Sequence, residues 1–385
     1  MIPCNVKRIL GLVVLLGITV GFGVDRVEAQ TNHARLWQAY AARFISSDGR
    51  VIDPLVGDRT TSEGQSYALF FALVNNDREH FDKILGWTKA NLGQGDLTVH
   101  LPAWSWGLGK DGAWGVQDAN SASDSDLWIA YDLIEAGHLW KEPSYAVMGR
   151  RLANQIARRE VVSLPGFGPV LLPGPVGFKF QKMWVLNPSY TPVFLLNQLA
   201  SVDPAGPWAD VAAMYPTLIQ RSARQGFAMD WVCYAQGGGV SPCLANGKQT
   251  PTPVGSYDAI RVYLWAGMSG SSSQALVARL APFAALVHSL GAPPENVDPR
   301  TALARDSRYS PLGFSGAVLP FLRALAQEGD LARQMEILHE ASLRARAGAP
   351  TNYYDQSLIL FGKGWIDRQF AFDDAGRLRP AWLRE

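Results

Sequence analysis

Apolar residues recur along this chain at the three- and four-residue spacing of an α-helix, and no other feature restricts the possible folds as much. One stripe on a single helix face consists of Phe81, Ile84, Leu85, Thr88 and Leu92. Three further stripes are Tyr145, Met148, Leu152 and Ile156; Val211, Tyr215, Leu218 and Ser222; and Leu276, Leu280, Phe283, Val287 and Leu290. Asp77 stands where an N-cap is expected before the first stripe, and Pro143 suits the first turn of the second.

The rest of the chain predicts more helices, whereas strand signals are sparse. Helices are expected near residues 64–76, 125–140, 188–200, 258–268, 314–327, 330–346 and 353–363. Small β ribbons are expected at 170–180 and 368–372, around Pro and Gly turns. Helix pairs that repeat at roughly 40 residues indicate an all-α fold, either an open solenoid or a closed toroid.

The N-terminal segment has the features of a secretory signal peptide. Lys7 and Arg8 precede a 16-residue run without charge, and small residues allow cleavage after Ala29. The run is short for a membrane span, which needs about 20 apolar residues, although an uncleaved anchor is the alternative. We expect a signal peptide at 1–29 and export of residues 30–385 to the periplasm or cell exterior. No linker-like segment divides 30–385, which favours one helical domain over two.

The charge balance of the chain points to no charged partner. Lys and Arg number 35 against 34 Asp and Glu, a balance that predicts neither nucleic acid nor a charged membrane surface as partner and suits a neutral substrate.

Cys233 and Cys243 remain after signal cleavage, either as a disulfide or as two thiols. Neither Cys nor His spacing predicts a metal site. The G-x-G-x-x-G at 107–112 follows a Trp-rich loop rather than a strand, so no dinucleotide cofactor is expected.

The first candidate for chemistry is Glu63. Ser62 and Gln65 have capping-box spacing, which predicts a helix that starts at about Glu63. The helix dipole would lower the pKa of a carboxyl group in that first turn, the opposite of what a general acid at neutral pH requires. An acid role therefore demands burial or a nearby carboxylate, and the alternative is a Glu that only stabilises the helix.

Two further segments place acidic residues at helix starts. Ser123 and Asp126 again have capping spacing. Asp124 and Asp126 lie at the start of the same helix, where their carboxylates could serve to orient hydroxyl groups, to ligate calcium or to cap the helix. Asp258 opens another helix with Arg261 at i+3, which predicts a local ion pair or a base held in place by Arg261.

Tryptophans crowd a Gly-rich loop. Trp104, Trp106 and Trp114 lie in LPAWSWGLGKDGAWG at 101–115. Large rings on loops offer flat surfaces for stacking sugar rings, and the alternative is that they plug the end of a helical core.

These segments together resemble glycoside hydrolase family 8, with a likeness to the members found with bacterial cellulose synthase. It runs from about Trp37 to Trp382 and rests on nine landmarks in order: GRVIDP (49–54), TTSEGQSYAL (60–69), LPAWSWG (101–107), NSASDSDLWIAY (120–131), LLPGPVGF (171–178), NPSY (187–190), SYDAIRVYLW (256–265), GFS (313–315) and FGKGW (361–365).

The resemblance implies an (α/α)6 barrel, with six inner helices ringed by six outer ones, and an inverting endo-β-1,4-glucanase that needs no metal or cofactor. Glu63 matches the family's proton donor and Asp258 its base. Asp124 matches an acidic residue often described as nucleophile. Because inversion forms no covalent intermediate, Asp124 is expected to grip the distorted sugar. Expected substrate contacts are Tyr257, Arg261, Trp104, Trp106, Tyr190 and Asp126.

The chain departs from the family pattern at two positions. Ser125 stands where Gly or Ala is usual between the two Asp residues, and Asp132 stands where Ser or Ala is usual. We expect Asp132 to face away from the site, and neither residue to touch the acid or the base.

The expected partner is a β-1,4-glucan chain, with the cellulose synthase complex as a second candidate. Xylan and chitosan are alternative substrates. Another alternative is a non-catalytic glycan-binding or scaffold protein, against which the intact Glu63 and Asp258 argue. A polysaccharide lyase fits less well, because no Arg/Lys cluster is available to receive an acidic sugar.

Overall fold

The computed structural model describes residues 33–306, 309–346 and 352–383. The predicted signal peptide, residues 1–29, lies outside the described residues. In the described ranges, no helix is both long enough and apolar enough to span a bilayer.

Helices account for most of the described chain. They are α1 (33–44), α2 (Ser62–Val74), α3 (Arg78–Asn91), α4 (Ser123–Leu139), α5 (Pro143–Arg159), α6 (Val193–Val202), α7 (Trp208–Ser222), α8 (Ala259–Met268), α9 (Gln274–Leu290), α10 (Leu312–Ala317), α11 (Leu319–Ala324), α12 (Glu328–Arg346) and α13 (Tyr353–Ile366). A helix covers most of each predicted range, with ends shifted by a few residues, except that the helix expected near 314–327 is divided into α10 and α11; α1 was not predicted.

The helices alternate between an inner and an outer ring. Inner α2 is buried at every position except Glu63, and α4 is buried along nearly its whole length. Outer α5 buries only the stripe that includes Tyr145, Leu152 and Ile156. The inner ring runs α2, α4, α6, α8, α10 with α11, and α13, which packs back against α2. This closure makes the fold an (α/α)6 barrel and excludes the solenoid.

Aromatic side chains fill the centre of the barrel. Trp128 of α4 lies 5.5 Å from Trp265 of α8 and 5.3 Å from Phe361 of α13, measured between ring centroids. Phe70 of α2 is 5.3 Å from Phe361, and Phe194 of α6 is 6.1 Å from Trp265. Edge-to-face and offset contacts of this kind add to the stabilisation from apolar burial. The interior is therefore packed, and a substrate must bind at an end of the barrel.

Two inner helices touch backbone to backbone at a pair of glycines. A Cβ atom on Gly362 of α13 would lie 1.8 Å from the carbonyl oxygen of Gly316 in α10. Any side chain at Gly362 would force these two helices apart.

Short strands form between the helices. They are β1 (Thr60–Thr61), β2 (Ser105–Leu108), β3 (Trp114–Asp118), β4 (Val161–Leu164), β5 (Gly168–Leu171), β6 (Met183–Leu186), β7 (Val232–Ala235), β8 (Val240–Pro242), β9 (Val297–Asp298), β10 (Leu303–Ala304), β11 (Phe370–Phe372) and β12 (Leu378–Pro380). They pair in the antiparallel sheets β1–β2–β3 and β6–β7–β8 and three two-stranded ribbons. Parts of both predicted ribbons are present, as β5 and β11.

The two cysteines left after the predicted cleavage are joined. Cys233 of β7 forms a disulfide with Cys243, which directly follows β8. The sulfurs are buried beside Val185 of β6. The bridge therefore fixes the edge of this three-stranded sheet.

Both predicted capping pairs were wrong. Thr61, not Ser62, is the N-cap of α2, and its Oγ1 accepts a hydrogen bond from the Gly64 N–H. Gln65 instead turns away, and its Oε1 accepts from the Val51 N–H at 2.6 Å. Ser62 pairs with Ser125 of α4, hydroxyl to hydroxyl, at 2.7 Å.

The second capping pair fails for a similar reason. Ala122 occupies the N-cap position of α4, which puts Ser123 and Asp126 inside the first turn. In both helices the N-cap lies one residue before the predicted position, because Ser side chains near a helix start also make tertiary contacts, as Ser62 and Ser125 do.

Candidate active site

The predicted acidic residues meet at one end of the barrel, where inner helices begin. Glu63 and Asp124 lie in the first turns of α2 and α4, and Asp258 is the N-cap residue of α8. Tyr190 ends the 3-10 turn Pro188–Tyr190 shortly before α6. Segments that are distant in sequence therefore supply one site.

Glu63 is half-buried and is held by Trp104. The backbone of Trp104 bridges two helix starts, since its carbonyl accepts from the Ser62 N–H at 2.9 Å and its N–H donates to Asn120 at 2.7 Å. The indole N–H of the same Trp104 donates to Oε1 of Glu63 at 3.1 Å. Burial and then the charge of Asp124 raise the pKa of Glu63 to about 7. Glu63 therefore has both burial and a nearby carboxylate, either of which can raise the pKa as an acid role requires.

Arg261 joins the other two acidic residues. Its Nη1 lies 2.7 Å from Oδ2 of Asp124, and its Nη2 lies 2.6 Å from Oδ1 of Asp258. Nη1 also donates to the hydroxyl of Tyr67 at 2.9 Å. The side chain of Arg261 is 5% exposed, whereas that of Asp258 is 22% exposed. The ion pair predicted from the i+3 spacing is thus part of a bridge between α4 and α8.

Asp124 is enclosed and has a partner on each oxygen. Its Oδ1 accepts from the Ser125 N–H at 2.8 Å, and Arg261 binds the other oxygen. Burial raises the pKa of Asp124, and the contact with Arg261 opposes that shift. The departure at Ser125 therefore falls on the residue next to Asp124, where its hydroxyl ties α4 to α2.

Besides Tyr67, three tyrosines lie close to Arg261 or to the Asp258 turn. The ring of Tyr190 is buried, with its centroid 5.4 Å from Cζ of Arg261. Tyr257 is 42% exposed, and its hydroxyl donates to Oε1 of Glu295 at 2.6 Å. The hydroxyl of Tyr354 donates to the carbonyl of Tyr257 at 2.6 Å, which fixes the backbone beside Asp258.

The tryptophans of the Gly-rich loop separate into two groups. Trp104 faces Glu63. Trp106 and Trp114 lie on β2 and β3, where their rings stack at 5.3 Å, and Trp106 packs on Trp87 of outer α3 at 5.4 Å. The guanidinium of Arg50 lies 4.4 Å from the Trp106 ring centre. Trp106 is thus part of an aromatic cluster at the barrel rim.

Asp126 is not placed to meet a substrate. Its side chain is completely enclosed and faces Glu160, which accepts a hydrogen bond from the Ser121 hydroxyl at 2.7 Å. Burial, followed by the charge of Glu160, raises the pKa of Asp126, and burial raises the pKa of Glu160 to about 8. The geometry gives no support to a direct contact between Asp126 and sugar.

Sequence reasoning missed three residues of the site, Tyr67, Tyr354 and Asp230. Tyr67 follows Glu63 by one helical turn, a spacing that places both on one face of α2. Asp230, by contrast, lies in the segment before β7 and reaches the Asp258 turn only through the fold, so no local signal marks it. Burial and then the charge of Asp258 raise the pKa of Asp230 to about 7.

The described residues contain no group of three or more His, Cys, Asp or Glu side chains that could hold a metal ion. The functional groups of the site are carboxyl groups, one guanidinium and aromatic rings. These groups can transfer protons and bind neutral polyols.

One end of the helical barrel carries a carboxyl group of raised pKa and an ion-paired carboxylate. Glycoside hydrolases use two carboxyl groups of this kind as proton donor and proton acceptor. The sequence matches the model of Glycosyl hydrolases family 8 over residues 13–368. The chain belongs to this family.

Named relatives agree with this assignment. An endoglucanase of Xanthomonas axonopodis pv. citri (strain 306) is 46% identical over 351 residues, which cover 90% of this chain and 89% of the relative. An endoglucanase of Escherichia coli O157:H7 is 42% identical over 353 residues, 91% of each chain. The crystal structure of an endo-1,4-D-glucanase from Vibrio fischeri ES114 matches with a TM-score of 0.83 at 38% identity, covering 90% of this chain and 99% of that one.

Proposed function

We propose that this protein is an endo-β-1,4-glucanase that hydrolyses internal bonds of a glucan chain with inversion at the anomeric carbon. The observation that carries the proposal is the pairing of Glu63, whose pKa is raised to about 7, with Asp258, which Arg261 holds as an ion-paired carboxylate. The endoglucanases that share more than 40% of the sequence support glucan as the substrate.

Glu63 is the general acid. A carboxyl group with a pKa of about 7 keeps its proton in weakly acid and neutral solution and can give it to the leaving oxygen. The Trp104 N–H donates to one oxygen of Glu63, and the other oxygen accepts no hydrogen bond from the described residues. The second oxygen is enclosed and has no partner among the described residues, which favours the protonated form of Glu63.

Asp258 is the general base. Its side chain is the most exposed of the three ion-paired groups, so water can reach it, and the contact with Arg261 fixes its orientation. An inverting reaction needs a base that deprotonates water on the face of the sugar opposite the acid, with the two carboxyl groups about 6.5–9.5 Å apart. In this proposal, Asp258 receives a proton from water as Glu63 releases one.

Asp124 stabilises the sugar at the cleavage point. Its Oδ2 lies 2.7 Å from Arg261, so its charge is compensated in the free enzyme. A carboxylate held beside the anomeric centre favours the positive charge that develops in the oxocarbenium-like transition state. Trp104, Tyr190 and Tyr257 offer rings for neighbouring glucose units, and Trp106 extends the aromatic surface toward the barrel rim.

We extend the proposal to the biological setting. The resemblance to family members found with cellulose synthase supports trimming of nascent cellulose during export, in the periplasm or just outside the cell, after removal of residues 1–29. Association with the synthase complex belongs to the same proposal. Deletion of the gene tests it, because unchanged cellulose yield and fibre form would contradict this role.

The activity is tested with the purified protein and two variants, Glu63→Gln and Asp258→Asn. Carboxymethyl cellulose and cellohexaose are the substrates, and NMR follows the anomer released first. Release of the α-anomer, with losses of about 10²–10⁴ or more in both variants, is the expected result.

Each other outcome has a definite meaning. Initial release of the β-anomer contradicts inversion. Cleavage of xylan or chitosan in preference to glucan corrects the substrate. Glycan binding that persists in Glu63→Gln, with no cleavage of any β-1,4 glycan by the parent protein, establishes the binding-protein alternative.

A further inference from the structure

The proposed base stands at a helix N-cap but does not cap the helix. An Asp at the N-cap normally accepts a hydrogen bond from the second or third backbone N–H of its own helix. Asp258 already has helical backbone angles, φ −80° and ψ −50°, and makes no such bond, while its Oδ1 binds Arg261. The Ile260 N–H donates to the Ser256 carbonyl and the Arg261 N–H to the Asp258 carbonyl, so the Ala259 N–H at the start of α8 needs another acceptor.

Asp230 supplies that acceptor from a different segment. Its Oδ1 accepts from the Ala259 N–H, the first residue of α8, at 2.8 Å. The same oxygen accepts from the Ser256 N–H at 2.7 Å. These two N–H groups flank Tyr257 and Asp258 on either side, so one carboxylate oxygen holds both ends of the turn that presents the base.

The segment of Asp230 is itself fixed. The Asp230 N–H donates to the Val254 carbonyl at 2.9 Å, and the Ala228 N–H donates to the hydroxyl of Tyr263 in α8 at 2.8 Å. A Cβ atom on Gly255 would lie 2.3 Å from the Ala228 carbonyl oxygen, which shows how closely the two segments run together. Asp230 is therefore a rigid support rather than a mobile surface acid.

We propose that Asp230 is a positioning residue for the hydrolytic reaction: it caps α8 in place of Asp258 and so leaves the Asp258 carboxylate free to act on water. The inference rests on the proposed function of Asp258 as base. Asp230 touches neither the sugar nor the water in this scheme, and it acts only through the backbone of residues 256–259.

The charges around Asp230 determine which variants are informative. Asp258 and Arg261 are the charged groups that face it, and the Tyr263 phenol is the other titratable group. Burial and the charge of Asp258 raise the pKa of Asp230 to about 7, so below that pH the group is neutral and Asn is its close mimic. Asp230→Asn preserves an acceptor oxygen, Asp230→Glu displaces it by one methylene, and Asp230→Ala removes it.

The test compares kcat and KM of these variants on cellohexaose at pH 6, with exposed Asp210→Asn as the matched control. We expect Asp230→Ala and Asp230→Glu to lose roughly 10²-fold in kcat with little change in KM, since a displacement of about 1 Å has that cost. Asp230→Asn should have a kcat close to that of the parent protein. The fall of its kcat at low pH should occur at the same pH as in the parent protein. If Asp230→Ala does not fold, Asp230→Glu carries the comparison.

Two results overturn the inference: a parent-like kcat in Asp230→Glu or Asp230→Ala, or an equal loss in Asp230→Asn and Asp230→Ala. Asp258→Asn is measured alongside. If Asp258→Asn stays active, the assignment of the base fails instead, which separates that failure from a failure of the role of Asp230.

Discussion

The indole N–H of Trp104 donates to the carboxyl group of Glu63 at 3.1 Å, and this contact opposes the two effects that raise the pKa of Glu63. Burial and the charge of Asp124 favour the protonated acid, whereas a donor aimed at the carboxylate favours the ionised form. The balance leaves a pKa of about 7, which is suited to proton donation near neutrality.

Activity should therefore decline above a pH of about 7, as Glu63 loses its proton. Trp104→Phe removes the donor and keeps an aromatic ring, so the pKa of Glu63 should rise and the alkaline limb of kcat/KM should move to higher pH. Trp106→Phe is the control, because Trp106 does not contact Glu63. An alkaline limb that stays in place or moves to lower pH in Trp104→Phe would contradict this account.

Arg261 should be needed for stability as well as for activity. Arg261→Met leaves Asp124 and Asp258 without their shared partner, and breaking a buried ion pair typically costs about 3–5 kcal/mol. The loss in unfolding free energy, measured in urea at pH 7, should shrink as the pH is lowered, because the pKa of buried Asp124 is raised and removal of Arg261 takes away a contact that lowers it, so the carboxyl group takes up a proton more readily. Arg300→Met breaks an exposed pair with Asp298 and should cost no more than about 1 kcal/mol. Equal losses of unfolding free energy in Arg261→Met and Arg300→Met would contradict a stabilising role of the bridge that Arg261 forms between Asp124 and Asp258.

The barrel could be predicted because its signal is repeated and local. Stripes such as Phe81, Ile84 and Leu85 recur in each outer helix, and burial of a stripe depends on little else than helical periodicity. The inner helices, which are buried all round, carry no stripe. Resemblance to a family, not periodicity, therefore distinguished a toroid from a solenoid.

The site was predictable only in part, for a physical reason. Glu63, Asp124 and Asp258 stand at helix starts, where sequence marks them, and Tyr67 could have been found one turn after Glu63. Asp230 meets the Asp258 turn through tertiary structure alone. The enclosure of Asp126 was equally hidden, because its partner Glu160 ends the following helix in the barrel.

The disulfide should contribute to stability outside the reducing cytoplasm. Cys233 and Cys243 are separated by 10 positions, and closing so short a loop in the unfolded chain is worth about 3 kcal/mol in the chain-entropy description. Replacing both by Ala should lower the melting temperature, and dithiothreitol should lower that of the parent but not of the variant. A parent protein that melts at the same temperature with and without reductant would show that the bridge contributes nothing.

Asp132 should weaken the fold at neutral pH. Its side chain is completely enclosed within α4, its oxygens accept no hydrogen bond from any described residue, and burial raises its pKa well above the ordinary value. Well below the ordinary Asp pKa of about 4, the carboxyl group is neutral in both the folded and the unfolded chain. As pH rises, the unfolded chain ionises first, so the free energy of unfolding falls until the folded pKa is passed.

Asp132→Ser, which restores the residue type usual in the family, should accordingly stabilise the protein by about 1–3 kcal/mol at pH 8. The gain should shrink toward pH 4, where Asp132 is neutral and the smaller Ser side chain leaves part of its space unfilled. Urea unfolding at both pH values measures the difference, and Asp210→Ser, on the exposed side of α7, shows the effect of losing a solvated charge. A destabilised Asp132→Ser at pH 8 would mean that Asp132 has a favourable interaction in the folded protein, and that its departure from the family pattern is compensated inside the barrel.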